Sequence, residues 1–591
     1  MFPPRSVSSD DELLAGSQTT RTSAYDGTFE KSLVYVLIAA IAVTLGLQFL
    51  FVFRTDMNWD EFYYLSQVYE YKAGNLSRSF QTFHVHLFGW LTSLDALEPT
   101  QILLGRLVTY LLHCFNLYFI FAISRKYTHT IPALAAVACY CAFSFVMDHS
   151  ASFRSDPFAT FTLMAALYIA ICFQWRMAWF LLAGVLIGVA GLITIKSIFL
   201  ALMIGAVMLV ESIRSDQRGR SLIAIAVAVA GALATFGALY LWHKSLLAPG
   251  TSVNGGAMLK QSFQKTILDS EFFPRSFSFL RAVLENIVIV MAVAFGLALA
   301  LRNTFAGPAG ERKKWLALVL FASPLLTLLF YRNAFPYYYA FMLAPVAVLA
   351  SVSVSFVLSS AFDRDRFGRI ITILLVFFSV QVAQNVWRNW DRTPATQIAT
   401  IETIHKMFDE PVGYLDRNSM IASFPKHGFF MSSWGFENYH AKGVPVMGDI
   451  IRNEQPKFLI ANTTALDLEG KRSAFDSSSN SSLLPQDIEA LKSNYVHHWG
   501  NIYVAGKQLL FPGGEPVIKL DLLIEGTYTL EANGPVTIDG VLLRPGNQIF
   551  LNRGEHIVRS TDQTNEAVLR WGKHLYMPDY PAPTTPIFFG F

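Results

Sequence analysis

In the stretch FVFRTDMNWDEFYYLSQVYEYKAG an apolar run gives way to Asp56, Asp60 and Glu61. A carboxylate held in place can take the proton of a hydroxyl as that hydroxyl attacks. Further charge recurs elsewhere in apolar surroundings. MDHSASFRSDPF brings Asp148, His149, Arg154 and Asp156, ITIKSIFL holds Lys196, and LLFYRNAFPYYYAFMLAP gives Arg332 followed by Tyr337, Tyr338 and Tyr339. At membrane depth an ionisable group costs about 2.5 to 3.5 kcal/mol on insertion scales, so such groups concentrate where they line a cavity or carry function. The plainer readings are a solvated loop for the acids and snorkelling for each cation. Taken together, acids flanked by cations suit a site that deprotonates a nucleophile beside a phosphate-bearing substrate.

The elements that must position these residues are membrane helices. Of 591 residues, 53% are hydrophobic and 15% charged, a membrane protein's composition. About 20 apolar residues make one span, and the hydropathy pattern predicts about eleven, near 32–53, 102–123, 131–147, 157–174, 177–194, 197–212, 221–242, 282–301, 315–331, 338–360 and 370–388. The break between 177–194 and 197–212 at Lys196 is the one a single long helix would remove. Residues 1–30, polar and rich in Ser and Thr, are expected to be a disordered cytoplasmic tail, and 31–390 the transmembrane catalytic domain. Lys and Arg stay on the cytoplasmic side of short loops. Loops such as ESIRSDQRGRS and RNTFAGPAGERKK carry them, whereas the first loop of the opposite side, 54–100, is acidic. That orientation puts the three acids outside, with everything after Trp390.

In the first loop Phe62, Leu65, Val68 and Tyr69 recur at helical spacing, and Phe83 to Leu94 form a second partly apolar segment. Two interfacial helices would make a lid over a site. The exported portion is acidic, with 17 Lys and Arg against 22 Asp and Glu from 391 onward. Residues 391–512 mix helical and strand patterns and are expected to form an α/β region. Residues 513–591 alternate apolar and polar residues between Gly, Asn and Asp turns, as a β-sandwich does.

All four cysteines lie in expected spans, and CxxC, Walker and GxGxxG motifs are absent. Nothing points to nucleic acid or a nucleotide cofactor, and the spacing gives no metal signature. A lipid or solute transporter, or flippase, is the rival class. It would be expected to show paired broken helices in repeated halves, and no such repeat is visible.

The order of WDEFYYL, RSDPFATF, TIKS and FPYYYAFMLAP before an exported tail resembles the GT-C class of membrane glycosyltransferases. Within it the similarity is greatest to the branch of aminoarabinose and galacturonosyl transferases and, more distantly, the protein O-mannosyltransferases. It implies a polyprenyl-phosphate sugar donor, and it makes Asp60 the catalytic acid or base, with Glu61 its neighbour and Asp156 the second-loop acid. Lys196, followed by Ser197 where the family has Gly, would meet the donor phosphate. Where the branch has Lys-Pro-Pro-Leu this chain reads HVHL, so His84 would replace a phosphate-binding Lys, with His86 beside it.

The expectation is therefore an α-helical polytopic membrane protein of GT-C fold with an exported C-terminal region, acting as an inverting glycosyltransferase. Asp60, Glu61 and Asp156 would be its catalytic acids. Lys196, Arg154, Arg332 and His84 would hold the donor phosphate, and Asp56, His86, Tyr337, Tyr338 and Tyr339 would line the substrates. The acceptor would be a glycolipid such as lipopolysaccharide, a glycan or a protein hydroxyl. Besides membrane lipids no other partner is implied; no cofactor is expected, with a divalent metal at Asp60, Asp156 and a His left open. A tail free of cysteine and the bacterial likeness place it in a bacterial inner membrane with the tail periplasmic.

Overall fold

The computed structural model describes residues 27–173, 175–249, 260, 263–359, 364–469, 482–511, 517–560 and 566–589. The expected leader, 1–30, lies almost wholly outside them. Helix α1 (Gly27–Arg54) leads into a loop that carries α2 (Trp59–Lys72) and the short α3 (His84–Phe88). Next come α4 (Glu98–Ser124), α5 (Thr130–Ala142), α6 (Ser144–His149), α7 (Ser155–Cys172), α8 (Met177–Ile193), α9 (Ser197–Arg214) and α10 (Arg218–Ser245). The helical region closes with α11 (Ser276–Glu285), α12 (Ile287–Ala306), α13 (Arg312–Leu320), α14 (Pro336–Val346), α15 (Val348–Ser359) and α16 (Arg364–Asn389).

Among the described residues, seven helices are long and apolar enough to cross a membrane: α1, α4, α7, α9, α10, α12 and α16. Helices α14 and α15, bent by 52° at their junction, make an eighth if counted as one span. The hydropathy reading expected eleven. The difference lies in short or broken helices. The stretch 131–147 divides at Phe143, whose backbone is extended, and α8 is apolar but only 17 residues long. The stretch 315–331 changes from α13 to a 3-10 turn, Ser323–Leu329, that opens with Pro324, a residue with no N–H to give an α-helix. The break at Lys196 is real: Thr194 is extended between α8 and α9. Helices α8 and α10 approach closely because Gly184 has no side chain; a Cβ there would lie 2.1 Å from the Ala228 carbonyl oxygen, the small-residue contact common between membrane helices.

The first loop is locked to the helices by Arg106 of α4. Its guanidinium donates to Glu61 (Nε to Oε1 2.8 Å, Nη2 to Oε2 2.5 Å) and to the carbonyls of Val52, Thr55 and Asp56 (3.1, 3.1 and 2.8 Å). One side chain thus satisfies the exposed C-terminal carbonyls of α1 and anchors the first turn of α2. Asn58 caps α2 reciprocally with Glu61: the Asp60 N–H donates to Asn58 Oδ1 at 3.0 Å, and the Asn58 N–H to Glu61 Oε2 at 2.7 Å. This is a capping box.

After α16 the chain forms α17 (Ala395–Met407), then a mixed region with α18 (Ser433–Lys442), α19 (Met447–Glu454) and α20 (Pro485–Lys492). Strands β1 (Tyr414–Leu415), β2 (Lys426–His427) and β3 (Phe458–Ile460) pair in parallel, with β1 in the centre. Strand β3 then pairs antiparallel with β5 (Ile502–Leu510), which is flanked also by β4 (Tyr495–Trp499). The sheet continues through β12 (Glu566–Trp571), β7 (Gly526–Ala532) and β10 (Gln548–Leu551). A second sheet holds β6 (Val517–Leu522), β11 (Gly554–Ser560), β8 (Val536–Ile538) and β9 (Val541–Leu543). The expected division at 512/513 therefore meets a continuous sheet, since β5 pairs with strands from both sides of it. Register pairing between distant segments leaves no trace in local alternation.

The tail is bolted to the first loop. Gln397 of α17 bonds both the N–H and the carbonyl of Met57 (2.8 and 2.7 Å). Glu98, at the start of α4, accepts from Ser423 (Oγ 2.6 Å) and pairs with His405 at 3.0 Å. The first loop and the tail thus share one side of the helical region.

Candidate active site

Asp60 stands in the first turn of α2, where a helix N-terminus favours negative charge. It forms an ion pair with Arg154, the residue preceding α7. Arg154 also reaches Asp156 (Nε to Oδ2 3.4 Å), and Asp156 pairs with Lys196 (2.5 Å) in the break between α8 and α9. Tyr337, at the start of α14, lies under both cations, with the Arg154 guanidinium 3.7 Å and the Lys196 ammonium 4.7 Å from its ring centroid. Within about 6 Å such contacts are attractive. Five residues from four distant segments so form one chain, Asp60–Arg154–Asp156–Lys196, with Tyr337 as its floor. Gly105 helps to seat it: a Cβ there would lie 2.3 Å from the ring of Phe153, and Phe153 gives its N–H to Glu61 at 2.6 Å.

Asp60 and Tyr337 open into a cleft of about 1320 Å³ between the helical region and the tail. Single-ligand pockets run to about 1,000 Å³, so this cleft is larger than one small ligand fills. Its lining includes Trp59, Phe335, Arg417, Phe430 and Trp434.

The fold of the whole chain is similar to that of the archaeal oligosaccharyltransferase AglB from Archaeoglobus fulgidus in complex with an inhibitory peptide and a dolichol-phosphate. The TM-score is 0.53 at 11% identity, over 92% of this chain and 97% of that one. The chain has the GT-C fold. The apo form of the Archaeoglobus fulgidus oligosaccharyltransferase superposes on this chain with a TM-score of 0.52 at 12% identity, over 88% of this chain and 76% of that one. ArnT from Cupriavidus metallidurans bound to undecaprenyl phosphate gives 0.49 at 14% identity, over 74% and 93%. Residues 84–242 match the model of a family described as dolichyl-phosphate-mannose-protein mannosyltransferase, a segment holding Arg154, Asp156 and Lys196 but not Asp60. No curated protein sequence matches the chain. The helices and the GT-C likeness make it a multi-pass membrane protein.

The structure does not bring every expected residue to the cleft. Asp56 is buried, bound to Arg392 of the tail at 2.7 Å and accepting from the Phe589 N–H at 3.3 Å. Glu61 is fully buried behind Asp60. Burial alone raises its carboxyl, but Arg106 and the N–H groups of Phe153 and Asn58 outweigh it and hold Glu61 below the usual carboxylate range. Both acids hold the loop in place. His84 is buried, with Nε2 3.2 Å from the Tyr64 carbonyl. Burial pushes it down to about 4, so near neutral pH it carries no charge to offer a phosphate. His86 is held 2.7 Å from His243 and lies against Trp242 at the end of α10, the rings tilted by 36°. Tyr338 is buried with its hydroxyl 2.8 Å from Thr327, and Tyr339 packs on Phe143 and Phe145. Of the three tyrosines only Tyr337 lines the cleft. Arg332 sits at its margin, paired with Glu437 of α18 and 5.8 Å from the Trp434 ring centroid.

Sequence reasoning passed over Arg275. It donates to the Arg332 carbonyl at 3.0 Å and covers the ring of Phe335 at 3.9 Å, and among the described residues it has no carboxylate within salt-bridge distance. Its signal was a cation set in an aromatic stretch, EFFPRSFSF, between spans. Among the described residues no three His, Cys, Asp or Glu side chains converge as a metal site would require.

Proposed function

We propose that this chain is an inverting glycosyltransferase that moves a sugar from a polyprenyl-phosphate carrier to an acceptor hydroxyl at the outer face of the membrane. The observation that carries this reading is Asp60, the one acid of its loop left on the cleft, tied through Arg154 to Asp156 and Lys196. The likeness to a fold solved with dolichol-phosphate supports a lipid-linked donor.

In the reaction the acceptor oxygen attacks the anomeric carbon from the face opposite the phosphate. Asp60 takes the hydroxyl proton, the bond from carbon to phosphate oxygen breaks, and polyprenyl phosphate leaves with one more negative charge. Arg154 and Lys196 are each already matched by a carboxylate. Arg275, which covers the cleft-lining Phe335 and lies beside Arg332, is a cation without a carboxylate partner among the described residues, and we assign it to the phosphate. Arg154 positions the base, and Asp156 with Lys196 fixes Arg154. Glu437 shares Arg332, so Arg275 bears the larger part.

The test is transfer by the purified full-length chain from polyprenyl-phosphate sugars, with donor binding measured separately. Arg275→Ala should weaken donor binding about 10- to 100-fold, the loss of a charge-assisted hydrogen bond of about 1.5 to 3 kcal/mol, at unchanged thermal stability. Unchanged donor affinity removes Arg275 from the site, and no transfer from any such donor ends the proposal.

The orientation has its own check. A reporter fused after residue 400, active only outside the cytoplasm, should be active because the basic loops lie on the opposite side. Activity of a cytoplasm-only reporter at that point reverses the topology.

A further inference from the structure

The two walls of the cleft have different origins. One comes from α2 and the connections of the helical region. The other comes from the loops that leave the three parallel strands: Arg417 follows β1, Phe429 and Phe430 follow β2, and Asn462 and Thr463 follow β3. In open α/β sheets ligands bind beyond the carboxyl ends of the strands, and here those ends face the base.

These loops are held from behind. Buried Asp416 accepts from the N–H groups of Asn418, Ser419 and Met420 (3.1, 2.8 and 2.7 Å) and from Asn462 Nδ2 (3.1 Å). Asn462 Oδ1 accepts from the Arg417 N–H at 2.9 Å. In front of them Phe430 stacks on Tyr63 of α2, centroids 4.2 Å apart and rings 17° from parallel, with Trp59 at 5.6 Å. The hydroxyl of Thr463, a residue only 7% exposed, has no hydrogen-bond partner in the protein. Buried polar atoms are rarely left so unless a ligand or water completes them.

We infer that the acceptor is a glycan, and that the loops after β1, β2 and β3 are its binding subsite, delivering one sugar hydroxyl to Asp60. This inference rests on the glycosyltransferase reading. A pyranose offers C–H faces to aromatic rings and hydroxyls to amides and hydroxyls, and this wall supplies both. Asp60 is the one carboxylate among the residues lining the cleft. A peptide read by strand addition needs a free sheet edge, but the edge strand β2 is not in the lining. Arg275, the cation assigned to the lipid phosphate, lies on Phe335 at the other wall.

The experiment supplies the full-length protein with polyprenyl-phosphate glucose, mannose and arabinose and offers two acceptors, delipidated envelope oligosaccharide and a Ser/Thr-rich peptide. Transfer should go to the oligosaccharide. Phe430→Ala and Thr463→Val should each raise the acceptor KM, the first about tenfold, with kcat and donor binding within about twofold of the parent. Should Phe430→Ala fail to fold, Thr463→Val carries the kinetic test, and saturation-transfer NMR of the oligosaccharide on Asp60→Asn protein reads binding without turnover. Transfer to the peptide instead, or an acceptor KM unmoved by the variants that fold, overturns the glycan assignment and leaves the glycosyltransferase reading standing. Absence of transfer to every acceptor overturns both.

Discussion

Asp60→Asn should leave the protein folded and able to bind donor while lowering kcat by about 10² to 10⁴, the usual worth of a general base. Asn nearly copies the shape of Asp and can still accept a hydrogen bond from Arg154, so packing survives while the proton acceptor is lost. The neighbouring acids provide the contrast. Asp56→Asn and Glu61→Gln act on contacts with Arg392 and Arg106, so their effect should appear as a lower Tm, with kcat of the folded fraction close to the parent's. Turnover of Asp60→Asn near the parent rate ends the claim that this loop supplies the base.

Arg106→Ala, on α4 behind the first loop, should destabilise the protein by about 3 to 5 kcal/mol, because it strands a buried carboxylate and frees three carbonyls at the end of α1. The double variant Arg106→Ala with Glu61→Ala should recover part of that loss, since no unpaired charge then stays buried. Thermal unfolding in detergent measures both; additive losses would mean that the pair is not coupled. A pH dependence follows from the same pair. The folded Glu61 carboxyl is held below its ordinary value, so its contribution is complete above the unfolded value of about 4.3 and is lost as pH falls through the depressed folded one. Acidification below about pH 5 should therefore lower the Tm of the parent more than that of Glu61→Gln.

Much of the candidate site was legible because its members share an anomaly that sequence displays, charge in apolar surroundings. Asp60, Arg154, Asp156 and Lys196 carry that mark, Tyr337 stands in the aromatic run that follows Arg332, and the structure brings the five together. Which of three adjacent acids faces the cleft was not legible, because that depends on Arg106, forty-five positions from Glu61. Part of the answer was nonetheless written locally, for Asn58 followed by Glu61 is a capping-box pattern, and it already assigns Glu61 to the helix terminus. HVHL suggests a phosphate contact for His84 and a lining role for His86, while burial of one and the His243 contact of the other are tertiary facts. The helical class followed from hydropathy, but the division of spans depended on single breaks at Phe143 and Pro324. The joining of the tail's strands into one sheet was hidden for the reason that hides all long-range register: pairing partners are chosen by the fold.

The separate origin of the two cleft walls has a consequence for how such proteins diversify. Asp60 and the cations around it are held by helices and their connections, most of which must also satisfy the bilayer, and little there can vary without a cost to insertion. The opposing wall consists of loops leaving short strands, and such loops accept insertions and substitutions while the sheet beneath keeps its register. Chimeras that keep residues 31–390 and graft only the loops after β1, β2 and β3 from a related chain should therefore inherit the recipient's donor chemistry and the loop parent's choice of target.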